Sequence, residues 1–163
     1  MKTKKLSVLA LGIALCMVMS FVESQIPAFV AIPGVKLGLA NIAVVFVLYK
    51  LGWREAVLVS LIRVVLVSVM FGNFASLFYS LAGAVLSLTG MIILRRFEAV
   101  STVAVSVTGG VLHNVGQIAM ACILLETNVI KYYLPFLILS GTLAGIAIGV
   151  VSAVIIKRVE LKI

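Results

Sequence analysis

"SGTLAGIAIGVVSAV", Ser140–Val154, contains no charged residue and places Gly141, Gly145, Gly149 and Ala153 at intervals of four. Residues four apart lie one above another on a helix, so these four form a ribbon along one side. The rest of the stretch is apolar on nearly every side, as befits a helix in a membrane or a deep core. A ribbon of small residues lets two helix backbones touch, which is how helices pack in membranes.

Composition decides between membrane and core. Of the 163 residues, 64% are hydrophobic and 11% charged, and the mean hydropathy is +1.33. Soluble domains carry about a quarter charged residues. So much apolar surface needs a bilayer as its solvent, and the length allows a single domain over residues 1–163. Breaks in the apolar pattern give six candidate helices, at 6–23, 37–50, 54–71, 75–94, 101–125 and 131–156. The expected fold is an all-α integral membrane protein of six transmembrane helices. The second segment is short, about 21 Å long at 1.5 Å per residue, and is expected to begin below the outer surface. The first segment, "MKTKKLSVLALGIALCMVMSF", has the basic start and apolar centre of a signal peptide. No A-x-A-like cleavage site follows it, and Leu15 before Cys16 does not suit a lipoprotein signal, so it reads as a retained first span.

The net charge of +8 is a topology signal. Lys2, Lys4 and Lys5 precede the first segment, Lys50 and Arg54 separate the second and third, Arg95 and Arg96 follow the fourth, and Lys157, Arg158 and Lys162 follow the sixth. With six spans these ten of thirteen basic residues fall on one side. The positive-inside rule makes that side cytoplasmic, with both termini inside a multi-pass cell-membrane protein. Nucleic acid as a partner is thereby discarded, and the lipid bilayer is the surrounding medium. Cys16 and Cys122 lie inside apolar runs without metal-ligand spacing and read as packing residues; neither a metal nor a cofactor is expected.

Three basic residues depart from this pattern. Lys131 stands in a short outer loop with Glu126, as a solvated pair. Arg63, in "VLVSLIRVVLVSVMF", falls near mid-membrane, where an arginine costs at least ~2.5–3.5 kcal/mol. It needs either a partner that makes it a structural clamp or a watery cavity. In "VTGGVLHNVGQIAMA", His113 and Gln117 are four apart and Asn114 is about 100° round the helix, giving a polar arc at a similar depth. Gly109, Gly110 and Gly116 permit close approach to it. Lys36 lies in "AIPGVKLGLAN", Ala31–Asn41, a broken backbone that is tolerated at depth only where it is buried in protein or lines water. It either faces a cavity or snorkels to the headgroups. Glu23 is a counter-ion for Lys36 or Arg63, or an interfacial carboxylate. Asn41, Asn73 and Tyr79 add polar groups to the outer half, Tyr79 fitting an aromatic belt equally well. The expected site therefore gathers Lys36, Asn41, Arg63, His113, Asn114, Gln117, Glu23 and Tyr79 around a small anionic substrate.

"VESQIP", "IPGVKLGLANI", "LIRVVL", "SLFYSLAGAVLS" and "HNVGQI" together resemble the Gx transporter family, also labelled heptaprenyl diphosphate synthase component I. The resemblance covers nearly the whole chain. It implies likeness to the S-components of bacterial energy-coupling-factor (ECF) importers. Those are six-helix bundles that capture vitamins or metal ions and dock on a transmembrane coupling subunit driven by two ATPases, through an Ala-x-x-x-Ala pattern on the first helix. Ala10 and Ala14 match that pattern, and Gly141, Gly145 and Gly149 are a second candidate docking face, with internal packing as the default for both. Some relatives are encoded near genes for quinone synthesis or flavin-based electron transfer, which implies a redox-related role.

Catalysis is not expected. Prenyl diphosphate synthases hold Mg²⁺ on aspartate-rich motifs, because the hard cation needs carboxylate oxygens, and this chain has no aspartate and five scattered glutamates. It has no Walker A loop either, so it does not hydrolyse ATP itself. The expected function is a substrate-binding subunit of an ECF-type importer. The alternative is a non-catalytic membrane accessory subunit in prenyl-quinone synthesis or electron transfer. A stand-alone carrier is a third option, but no inverted repeat marks one.

Overall fold

Without water to satisfy it, a backbone in a bilayer must bond within itself, and apolar segments become helices. The structure, a computed structural model, describes residues 2–25, 38–72 and 74–161. It forms α1 (Lys2–Gln25), α2 (Asn41–Lys50), α3 (Trp53–Phe71), α4 (Phe74–Arg95), α5 (Thr102–Leu124) and α6 (Leu134–Arg158), with a 3-10 turn at Val129–Tyr133. Among the described residues there is no strand. Local chemistry sets several ends. Gly52, at φ 125°, makes the tight turn from α2 into α3 with a conformation that side chains disfavour. The Ser101 hydroxyl accepts from the Ala104 N–H at 3.1 Å and caps α5. Pro135 occupies the first turn of α6, where no amide donor is needed.

Helix α5 packs between α4 and α6; α3 packs on α4, α2 touches α1, α3 and α6, and α1 packs on α2 and α3. Val44, Val45, Val47 and Leu48 of α2 are essentially inaccessible, which explains why that segment is apolar on all sides. The outer surface is also apolar: Phe74 is 84% and Val69 75% exposed. Such a surface is stable against lipid, not water. Helices α1, α4, α5 and α6 are long and apolar enough to cross a membrane, and the protein is a membrane protein.

Of the six expected spans, α2 and α3 are not among those four helices. Helix α2 has 10 residues, a rise of about 15 Å, half of a ~30 Å hydrocarbon core. Its described part is a half-helix held inside the bundle, not a span over 37–50. Helix α3, with 19 residues, reaches about 28 Å but carries Arg54, Glu55 and Arg63, so it is not apolar throughout. Lys4, Lys5, Lys50, Arg54, Arg95, Arg96, Lys157 and Arg158 gather at one end of the bundle. There Lys5 of α1 pairs with Glu55 of α3, and an Arg95 amino group of α4 donates to the Tyr49 carbonyl of α2 at 3.1 Å. Lys131 is exposed in the 3-10 turn at the opposite end.

The glycine ribbon of α6 lies against α5. A Cβ on Gly145 would stand 2.6 Å from Val107 Cα, and one on Gly149 2.7 Å from Val103 Cα. A Cβ on Gly141 would stand 3.0 Å from the Gly110 carbonyl oxygen. The ribbon is thus occupied within the chain, which corrects its candidacy as a face for an external subunit. Ala10 and Ala14 of α1 are exposed.

Candidate functional site

A cavity of about 50 Å³, with polar groups set among apolar walls, lies between the start of α2 and the middles of α3, α5 and α6. Its walls follow helical spacing. Helix α5 contributes Ser106, Gly110, His113 and Asn114, and α6 contributes Gly141, Ala144, Gly145 and Ile148; each set recurs at three or four residues, one helix face. Gly38 and Asn41 close one side and Arg63 another. Gly38 has φ 75°, and its carbonyl accepts from the Asn41 N–H at 2.8 Å, which turns the chain into α2. The cavity is at mid-depth. Asn41 lies a whole α2 from the basic end, about 15 Å, and Arg63 is nine residues beyond Arg54, about 14 Å.

Arg63 is half-buried and makes no hydrogen bond or ion pair among the described residues. Among the described residues no carboxylate lines the cavity. Ser106 is fully buried, and its hydroxyl has no hydrogen-bond partner among the described residues. A buried hydroxyl beside a cavity calls for a water or a ligand. Asn114 serves the fold: its amide donates to the Leu137 carbonyl at 2.6 Å and ties α5 to α6. His113 lines the cavity and also packs on α4, since a Cβ on Gly83 would meet its ring at 3.0 Å. Replacing Asn114 with alanine removes this tie, while the Leu137 carbonyl keeps the Ser140 hydroxyl as a donor at 3.1 Å, and is expected to lower stability by about 0.5–1.5 kcal/mol. Thermal unfolding of purified protein in detergent measures this; an unchanged midpoint would mean that the tie is not formed.

The residues singled out from the sequence divide into three groups. Asn41, Arg63, His113 and Asn114 meet at the cavity. Gln117 continues the α5 face one turn beyond it and is half-buried outside the lining, as is Tyr79 on α4. Glu23 is also outside: one carboxylate oxygen accepts from the Leu39 N–H ahead of α2, and no ion pair joins it to Arg63. Of the three alternatives for Glu23, the direct ion pair with Arg63 is not formed. Lys36 and Asn73 fall outside the described residues, so the pairing of Glu23 with Lys36 and residues 31–37 of the broken stretch do too. Ser106 was overlooked because a serine in an apolar helix is unremarkable alone; its distance of seven residues from His113, two helical turns, was the available signal. Cys16 is buried and donates to the Ala40 carbonyl at 3.4 Å. Among the described residues no three His, Cys, Asp or Glu side chains group as metal ligands.

A site this small holds a few waters or a small polar group, well short of the ~300–1,000 Å³ that encloses a drug-sized ligand. Among the described residues its one fixed charge, Arg63, is positive. No curated protein and no solved structure matches the chain. A family model described as heptaprenyl diphosphate synthase component I matches residues 13–155, most of the chain. The protein therefore belongs to the heptaprenyl diphosphate synthase component I family.

Proposed function

We propose that the protein is the solute-binding subunit of an ECF-type importer and captures a small anionic solute related to a vitamin or cofactor. The observation that carries this is Arg63, a cation at mid-depth on the cavity, without an acidic partner among the described residues. A charge in that position is stabilised when an anion enters, and the energetic gain is large where water is scarce. Asn41 and Ser106 supply neutral polar groups beside it. A vitamin-sized solute exceeds the cavity, so its anionic end enters and the remainder lies beyond. The basic end of the bundle faces the cytoplasm in this proposal, by the positive-inside rule. No catalytic step is assigned to the chain.

Exposed Ala10 and Ala14 offer α1 to a transmembrane coupling subunit, which would work with two ATPases. Small residues on an outward helix face allow a second backbone to approach, and a tryptophan there would hold it off. Ala10→Trp and Ala14→Trp are each expected to reduce copurification with a coupling subunit at least tenfold, while gel filtration of the protein itself is unchanged. Native mass spectrometry of gently solubilised protein reads ligand and partners together. Undiminished complex in both variants would remove α1 as the dock.

A second reading is a non-catalytic membrane accessory subunit in prenyl-quinone synthesis or electron transfer; the family description supports its prenyl diphosphate side. It would be supported by copurification of a prenyl-transferring subunit in place of ATPases, with no small solute bound.

A further inference from the structure

We propose that a second pocket, at the basic end of the bundle, binds the phosphate group of an anionic membrane phospholipid. The pocket encloses about 190 Å³ and is lined by Leu48 at the end of α2, Trp53 at the start of α3, and Ile92, Arg95 and Arg96 at the end of α4. It is distinct from the mid-depth cavity and shares no residue with it. Nothing in solute capture depends on it.

Three features favour a phospholipid. The first is its cations. Arg95 is fixed: its guanidinium lies 5.1 Å from the centre of the Tyr49 ring, and one amino group bonds the Tyr49 carbonyl. A guanidinium has five N–H donors, so Arg95 retains others for a phosphate, and Arg96 is exposed beside it. Arginine's planar fork suits phosphate oxygens. The second is the lack of competition. Among the described residues no acidic side chain lines the pocket, and Glu55, the acidic residue of the adjoining turn of α3, is engaged by Lys5. The third is the floor. Leu48 and Ile92 are apolar, and Trp53 is 53% exposed with the Arg54 guanidinium 5.3 Å from its ring. A cationic rim over an apolar floor, with tryptophan at headgroup level, fits an amphiphile better than a free ion.

Trp53 is the sole tryptophan and reports occupancy directly. The protein is reconstituted in phosphatidylcholine vesicles containing either phosphatidylglycerol or phosphatidylcholine brominated in the upper acyl chain. Brominated phosphatidylglycerol is expected to quench Trp53 at a roughly 25-fold lower mole fraction, about fivefold for each pocket arginine. Each basic residue near a membrane surface is worth about fivefold in affinity, so Arg96→Gln should reduce the preference by about that factor and Arg95→Gln/Arg96→Gln should abolish it. Lys157→Gln/Arg158→Gln, at the same end but outside the pocket, should retain it. Inorganic phosphate is added in a separate arm. Displacement of brominated phosphatidylglycerol by millimolar phosphate would make the ligand a free anion and overturn the lipid assignment. Equal quenching by both lipids in the unaltered protein would overturn the proposal, as would a preference that survives the double arginine change. An equal loss in the Lys157/Arg158 variant would also do so, because diffuse surface charge would then account for it.

Discussion

Gly145→Leu is expected to leave almost no folded, monodisperse protein after extraction into detergent. The reason is the α5–α6 seam. A Cβ at Gly145 would already lie 2.6 Å from Val107 Cα and 3.1 Å from the Ser106 carbonyl oxygen. Both are backbone atoms, which no rotamer change can move aside. The neighbouring contacts are equally close: a Cβ on Gly110 would stand 2.6 Å from the Gly141 carbonyl oxygen. Overpacking a well-filled core costs ~1–3 kcal/mol and sometimes more. Lipid gives separated helices no hydrophobic reason to re-associate, so lost backbone contact is not replaced. Gly145→Ala should cost within that range and Gly145→Leu more. Gly12→Ala is the control, because a Cβ there would meet Val47 Cγ2 at 3.4 Å, an ordinary contact. Its midpoint should be unchanged or slightly raised, since alanine favours helix by about 1 kcal/mol over glycine. Fluorescence-detected gel filtration and thermal melts separate these outcomes; a Gly145→Leu protein that melts with the parent would refute the seam.

Arg63→Leu is expected to raise the stability of the ligand-free protein by about 2 kcal/mol while removing its bound solute. A mid-membrane arginine carries an insertion cost of at least ~2.5–3.5 kcal/mol, and no described carboxylate offsets it. If Arg63 is retained for an anion, the fold does not need it. Native mass spectrometry should detect a small bound mass on the parent protein and none on the variant, and thermal melts give the stability change. The opposite result, a variant that unfolds, would make Arg63 a structural clamp and end the case for an anion site. A stable variant that still carries the solute would move the site elsewhere.

Much of the helical pattern was legible in the chain. The segment at 54–71 appears as Trp53–Phe71, and that at 75–94 as Phe74–Arg95, because apolar runs in a bilayer have few alternatives to helix. The first helix extends past its apolar segment to Lys2: a lysine ends the stretch that lipid accepts, but it is a good helix former in water. The second segment was legible as short and interrupted. That its described part is a half-helix in the centre of the bundle was not, since hydropathy measures how apolar a residue is and does not distinguish lipid from protein as its surroundings.

The sequence by itself determined the membrane class, the helices and the division of charge, because each depends on local solvation and hydrogen bonding. Tertiary structure alone decided which faces meet. A period near four marks Gly141, Gly145 and Gly149 as one face, but only packing makes α5 its partner. Gln117 shares the α5 face of Ser106 and His113 yet stands one turn past the cavity, while Arg63 and Asn41, distant in sequence, meet there. Depth along neighbouring helices decides such meetings, and it depends on the register between helices, which no single helix's sequence contains.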